Sequence, residues 1–271
     1  MLDGARHGTE KIARRSEFAW LARTGLVARG IVYGIVGLLA FKLAIGSGGA
    51  TTNQQGAFQE IARQPFGEVL LIAVAIGLAA YAAWRLVRAA VGHGSQETDS
   101  AFDRVAAAAS GLVYLALCFT AVKVLTGASR GSGSGAPKRE TAGVLGWSGG
   151  PALVAIAGAV LIGVALYQGY KGLAGKFMDE ANIARMSRAT ERAYTALGVF
   201  GHLARMVVFA LTGYGLLSAA IEFEPKKAKG LDGALAELAR DPHGSLLLGV
   251  VAAGLVGFAL YSIADARYRR V

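Results

Sequence analysis

Apolar residues run in six long blocks along the chain, near residues 26–45, 67–90, 104–126, 152–173, 197–221 and 244–264, with polar residues gathered between them. Ala, Leu and Gly dominate the blocks and strict alternation is missing, so the pattern predicts helices and not strands. Each block reaches the roughly 20 residues that a helix needs to cross a hydrocarbon core of ~30 Å. Only internally hydrogen-bonded helices or closed barrels satisfy their backbone groups in hydrocarbon, and this composition selects helices. The expected fold class is all-α: a polytopic membrane protein with six transmembrane helices.

The blocks come in related pairs. G-L-V-A-R-G-I-V-Y-G-I-V-G from Gly25 is echoed by G-H-L-A-R-M-V-V-F-A-L-T-G from Gly201, and G-L-A-A-Y-A-A-W-R from Gly77 by G-L-V-G-F-A-L-Y from Gly254. A weaker middle copy carries S-G-L-V-Y at 110–114 and G-V-A-L-Y-Q-G-Y-K at 163–171. Three tandem helix pairs follow, spanning 25–91, 102–175 and 194–271, with a basic segment at 1–24 and a basic amphipathic linker helix expected at 176–193. Each copy crosses the membrane twice, so all three share one orientation, and a pseudo-threefold bundle about the membrane normal is expected instead of an inverted repeat.

Between the helices of copy one, Phe58, Ile61 and Ala62 share one helical face, which predicts a short interfacial helix. Copy three repeats it with Leu235, Leu238 and Ala239. The middle copy has a Gly-Ser linker at 131–135 instead and is expected to have lost most of this helix. Pro65, Pro151 and Pro242 are each expected in the first turn of the following helix, where a missing N–H costs nothing. Residues 1–24 read either as an interfacial amphipathic helix on an anionic leaflet or as an extension of helix one, and they carry no secretory cleavage pattern.

The entry A-R-x-G-x-x-A-R-G-x-x-Y at 22–33, the loop G-A-[FL]-x-E-[IL]-A-R-x-P-x-G at 56–67 and 233–244, and the exit G-L-x-x-Y-x-x-W-R at 77–85 resemble a bacterial family catalogued as domain of unknown function 1206. The resemblance covers nearly the whole chain and implies a bacterial integral membrane protein of three helix pairs. It implies no activity, and it supplies no catalytic residue to carry over.

Composition narrows the function classes. With 54% hydrophobic residues, 17% charged residues and a mean hydropathy of +0.45, the chain is too apolar for an ordinary soluble domain. Its net charge of +10 lies in residues flanking the apolar blocks, which argues for topology and against nucleic acid. Eighteen of the 28 Lys and Arg residues fall on the side of the termini, so both termini are expected in the cytoplasm of a bacterial inner membrane. Cys118 is the only cysteine, which excludes an intrachain disulfide and a thiolate metal cluster. The four histidines follow no ligand spacing, and no nucleophile elbow, phosphate loop or dinucleotide fingerprint occurs. No enzyme activity, metal or cofactor is expected.

The notable polar residues are Arg29 and Arg205, equivalent positions about a turn inside helices one and five. With Arg23, Tyr33 and His202 they suggest a cytoplasm-side pocket for an anionic headgroup or ligand; the plainer reading is that both arginines snorkel to the interface. Trp20, Trp84, Arg85, Tyr170 and Lys171 read as interfacial anchors. Asp265 is expected in a structural ion pair with Arg267, Arg269 or an N-terminal arginine. Membrane lipids, and a larger membrane complex, are the partners anticipated. These features favour a non-enzymatic accessory subunit or lipid-associated scaffold, with a small transporter or channel at the repeat interface as the alternative.

Overall fold

A computed structural model of the chain describes residues 16–46, 54–91, 101–128, 136–228, 230–240 and 242–270. The described residues form nine α-helices and no β-strand. They are α1 Ser16–Ala44, α2 Gln54–Arg63, α3 Gly67–Val91, α4 Ala101–Leu125, α5 Ala136–Leu145, α6 Gly150–Leu173, α7 Arg188–Ile221, α8 Leu231–Arg240 and α9 Gly244–Tyr268. Six of them are long and apolar enough to cross a bilayer: α1, α3, α4, α6, α7 and α9. They match the six apolar blocks, because a continuous run of Ala, Leu, Val and Gly in lipid has no other way to satisfy its backbone. The linker near 92–100, the Gly-Ser linker and the first fifteen residues lie outside the described residues.

The chain condenses into two compact units. The first comprises Met1–Ile31, Phe58–Ser129 and Ser262–Val271. There α3 lies along α4, and Ala22, Leu26, Tyr81, Trp84 and Ala266 form a buried core flanked by Tyr114. Small residues set the spacing: a Cβ on Gly77 would come 2.8 Å from Ala28 Cβ, and one on Gly111 2.8 Å from the Leu86 side chain. The second unit comprises Val32–Ala57 and Arg130–Tyr261. In it α6 runs antiparallel along α7, and Gly158 and Gly213 face each other so closely that a Cβ on either would stand 2.9 Å from the other's carbonyl oxygen.

Several local expectations need correction. Residues 16–24 continue α1 without a break, which is the extension reading for that part of the segment. The middle copy keeps its short helix: α5 is ten residues long, as are α2 and α8. The Gly-Ser stretch precedes this helix in the chain and does not replace it. The short helices are not merely laid on lipid, because Phe58, Ile61, Ala234 and Leu235 are buried within the protein. Pro151 does sit in the first turn of α6, whereas Pro65 and Pro242 lie in turns just ahead of α3 and α9. In all three corners the helix opens on a glycine, Gly67, Gly150 or Gly244, whose missing side chain lets it pass a carbonyl of the preceding short helix.

The linker at 176–193 is not a helix of its own. It turns through Ile183–Arg185 as a short 3-10 segment, and Ser187 then caps α7 by accepting a hydrogen bond from the Thr190 N–H at 3.2 Å. A serine in extended conformation whose side-chain oxygen accepts from the N3 amide is a strong helix start, so the amphipathic run is cut at this point and its end joins α7. At 34 residues α7 is roughly 51 Å long, so its first turns project beyond a ~30 Å core.

Candidate functional site

The five residues proposed for one pocket have different surroundings. Arg29, in the first unit, is buried and occupied by protein groups. Its Nη2 lies 3.7 Å from Asp265 Oδ2, its Nε donates to Ser262 Oγ at 3.2 Å and its Nη1 to Tyr81 Oη at 3.3 Å. Asp265 is fully buried and also takes the Arg269 Nη1 hydrogen bond at 2.7 Å. The expected structural ion pair is therefore present, with Arg269 and Arg29 as partners. Tyr81 Oη also accepts from Arg85 Nε and Nη2 at 3.2 and 3.0 Å. Arg29 neither snorkels nor stands open to a ligand; it cross-links α1, α3 and the end of α9.

Arg23 is half-buried, and its Nε–H has no hydrogen-bond partner. His202, in the second unit, is buried in an aromatic cluster. Its ring stacks on Phe177 at 5.2 Å, meets Phe258 and Tyr261 edge-on, and its Nδ1 bonds the Gly198 carbonyl at 2.7 Å. This is a packed histidine. Two of the expected anchors are also redirected. Trp84 is 5% exposed because the core takes its ring and the Arg85, Arg88 and Arg269 guanidiniums cover it. Lys171 pairs with Glu180 at 3.1 Å. Trp20 and Tyr170 do present exposed rings.

Tyr33 and Arg205 are brought together within the second unit, where they line a cavity of about 160 Å3. The Arg205 guanidinium lies 5.2 Å from the Tyr33 ring centroid, 5.1 Å from Phe209 and 4.4 Å from Phe258. With its amide oxygen turned to the guanidinium, Gln168 accepts from Nη2 and Nη1 at 2.9 and 3.0 Å. That orientation is required, because a guanidinium only donates. Among the described residues no carboxylate pairs with Arg205, and its Nε–H has no hydrogen-bond partner.

The depth of this site differs from the expectation. Tyr33 stands at the middle of the apolar stretch Ala22–Ala44, Leu161 at the middle of α6 and Leu255 beside the middle of α9. Arg205 itself is level with Gln168, near the terminal-side end of α6. Of its three rings, Phe209 arises one turn deeper, while Phe258 packs at Gly201 and Tyr33 lies beside Gly34 at Ala259, both toward the terminal side, so the guanidinium is held among rings within the apolar layer. The lining continues through Thr212 to Gln54 and Leu231, the first residues of α2 and α8. Those short helices connect odd to even spans, so the cavity runs from mid-span toward the face opposite the termini.

The site combines one cation, aromatic faces, a neutral amide and apolar walls. A charged arginine at the centre of a membrane helix costs about 2.5–3.5 kcal/mol by insertion scales. Cation–π contacts of about 0.5–2 kcal/mol each and hydrogen bonds to a charged group of about 1.5–3 kcal/mol offset that cost, but they leave the charge uncancelled. Gln168, Phe209 and Thr212 were not singled out from the sequence. The only signal was Gln168 as a lone amide inside an otherwise apolar helix.

Six apolar spans in paired repeats, with a cavity set among the helices of one unit, define a multi-pass membrane protein. The chain belongs to the family described as Domain of Unknown Function (DUF1206), whose model matches three times, over residues 24–92, 105–175 and 200–269. It is similar to the "Uncharacterized protein YxxB" of Bacillus subtilis (strain 168), with 33% identity over 252 residues that cover 92% of this chain and 90% of the relative. No solved structure matches.

Proposed function

We propose that the protein is a non-enzymatic, multi-pass protein of a bacterial inner membrane that binds an anionic ligand inside the membrane, in the cavity beside Arg205. The observation that carries this reading is a guanidinium held among aromatic rings, with no carboxylate partner among the described residues, at the edge of a cavity of about 160 Å3. An intramembrane charge that structure alone does not neutralise is a ligand site by default. The cavity's other polar side chains are two hydroxyls and an amide, from Tyr33, Thr212 and Gln54, which orient a ligand without supplying a titrating acid–base pair. The basic residues clustered on the terminal side favour cytoplasmic termini, and the cavity then faces the outer side. This favours the binding or transport alternative over a purely structural scaffold.

A second reading, the accessory subunit, draws on the middle repeat. The spans Arg104–Leu125 and Gly150–Leu173 are 17% and 22% buried, against 33–56% for the other four. One experiment addresses both readings: mild extraction from the native membrane followed by native mass spectrometry of the wild type and Arg205→Gln. The binding reading expects a small anionic adduct on the wild type that is lost in the variant, and identical spectra would refute it. A stoichiometric protein partner retained by both would favour the subunit reading.

A further inference from the structure

Resting on the proposed anion site, the geometry points to a small organic monocarboxylate with an apolar body of about six carbons as the ligand class. Three observations carry this. The first is charge: Arg205 offers one positive charge, with no second cation among the lining residues. A monoanion is balanced there, whereas a phosphate dianion would keep an uncompensated charge in a low-dielectric site. The second is donor geometry. Gln168 takes one N–H from each Nη, so three of the five guanidinium N–H groups remain, the Nε–H among them. A planar carboxylate is the natural acceptor for such a fork.

The third is size and lining. Beyond the cation the walls are Leu161, Val208, Phe209 and Leu255, and the volume is about 160 Å3. A buried apolar cavity of about 150 Å3 accommodates benzene, so a six-carbon body fits, while a halide leaves the apolar walls uncovered and a long acyl chain overfills the space. Depth separates this ligand from a phospholipid headgroup. The inner end of the cavity is lined by Tyr33, Leu161 and Leu255 at the middle of their spans, about 15 Å from either surface of a ~30 Å core, and headgroups lie at those surfaces.

The test uses the full chain in phosphatidylcholine nanodiscs, with empty discs as the blank, and equilibrium dialysis of acetate, butanoate, hexanoate, dodecanoate, hexan-1-ol and inorganic phosphate. Affinity is expected to rise about fourfold per methylene up to hexanoate and to fall for dodecanoate. Arg205→Gln should weaken hexanoate at least tenfold and leave hexan-1-ol unchanged. Should that variant fail to fold by thermal melting, Arg205→Lys keeps the charge without the fork and should weaken hexanoate several-fold; unchanged affinity there overturns the inference. A continued rise through dodecanoate, equal in wild type and variant, also overturns it, since that is partition into the bilayer. Arg205-dependent binding of phosphate without hexanoate would sink the carboxylate assignment and leave the anion site standing. No Arg205-dependent anion at all would sink both.

Discussion

Replacing Asp265 with Asn tests whether the Arg29–Asp265–Arg269 network holds the first unit together. Asp265 is fully buried, and the side chains of Arg29 and Arg269 are 8% and 4% exposed, so water does not replace the lost charge. Removing one member of a buried ion pair costs about 3–5 kcal/mol, because the remaining charge stays buried. Two features keep the cost at the lower end, near 3 kcal/mol. Arg29 retains its hydrogen bonds to Ser262 and Tyr81, and the Asn oxygen still accepts from Arg269. Adding Arg29→Met removes one of the stranded guanidiniums, so the double variant should lose less than the two single losses combined, with a coupling of about 1–3 kcal/mol. The assay is unfolding of the purified protein by SDS titration in mixed micelles, followed by helical circular dichroism. A loss below about 1 kcal/mol for Asp265→Asn, or additivity in the cycle, would refute the assignment of this network as the clamp on α1.

Two further outcomes are expected. Gly25→Ala places a methyl group on top of the Tyr81 Cβ and should cost about 1–3 kcal/mol in the same assay, whereas Gly163→Ala has nothing within 4 Å and should be neutral or stabilising by up to about 1 kcal/mol; equal losses would contradict the packing described. For sidedness, a green fluorescent protein fused to the C-terminus should fluoresce, and alkaline phosphatase fused after residue 128 should be active; the reverse pattern would invert the membrane orientation.

The spans were legible in the sequence because crossing hydrocarbon constrains every residue of a run at once, so hydropathy and length alone mark them. The pairing of the spans into copies was legible because the segments at Gly25 and Gly77 recur in the same order at Gly201 and Gly254. The fates of Arg29 and Arg205 were not. The two occupy equivalent places in their repeats, yet one meets Asp265, Ser262 and Tyr81 while the other meets Gln168 and three rings. Helical periodicity says which residues share a face but not which helix that face meets. An aromatic at a helix end reads the same whether it anchors in headgroups, as Trp20 can with its exposed ring, or closes a core, as Trp84 does. What the amino-acid order determined by itself was therefore each segment's solvent, a sum over many residues. What only the tertiary structure decided was each polar side chain's partner: burial of a single charge is worth only a few kcal/mol either way, and contacts distant in sequence settle its sign.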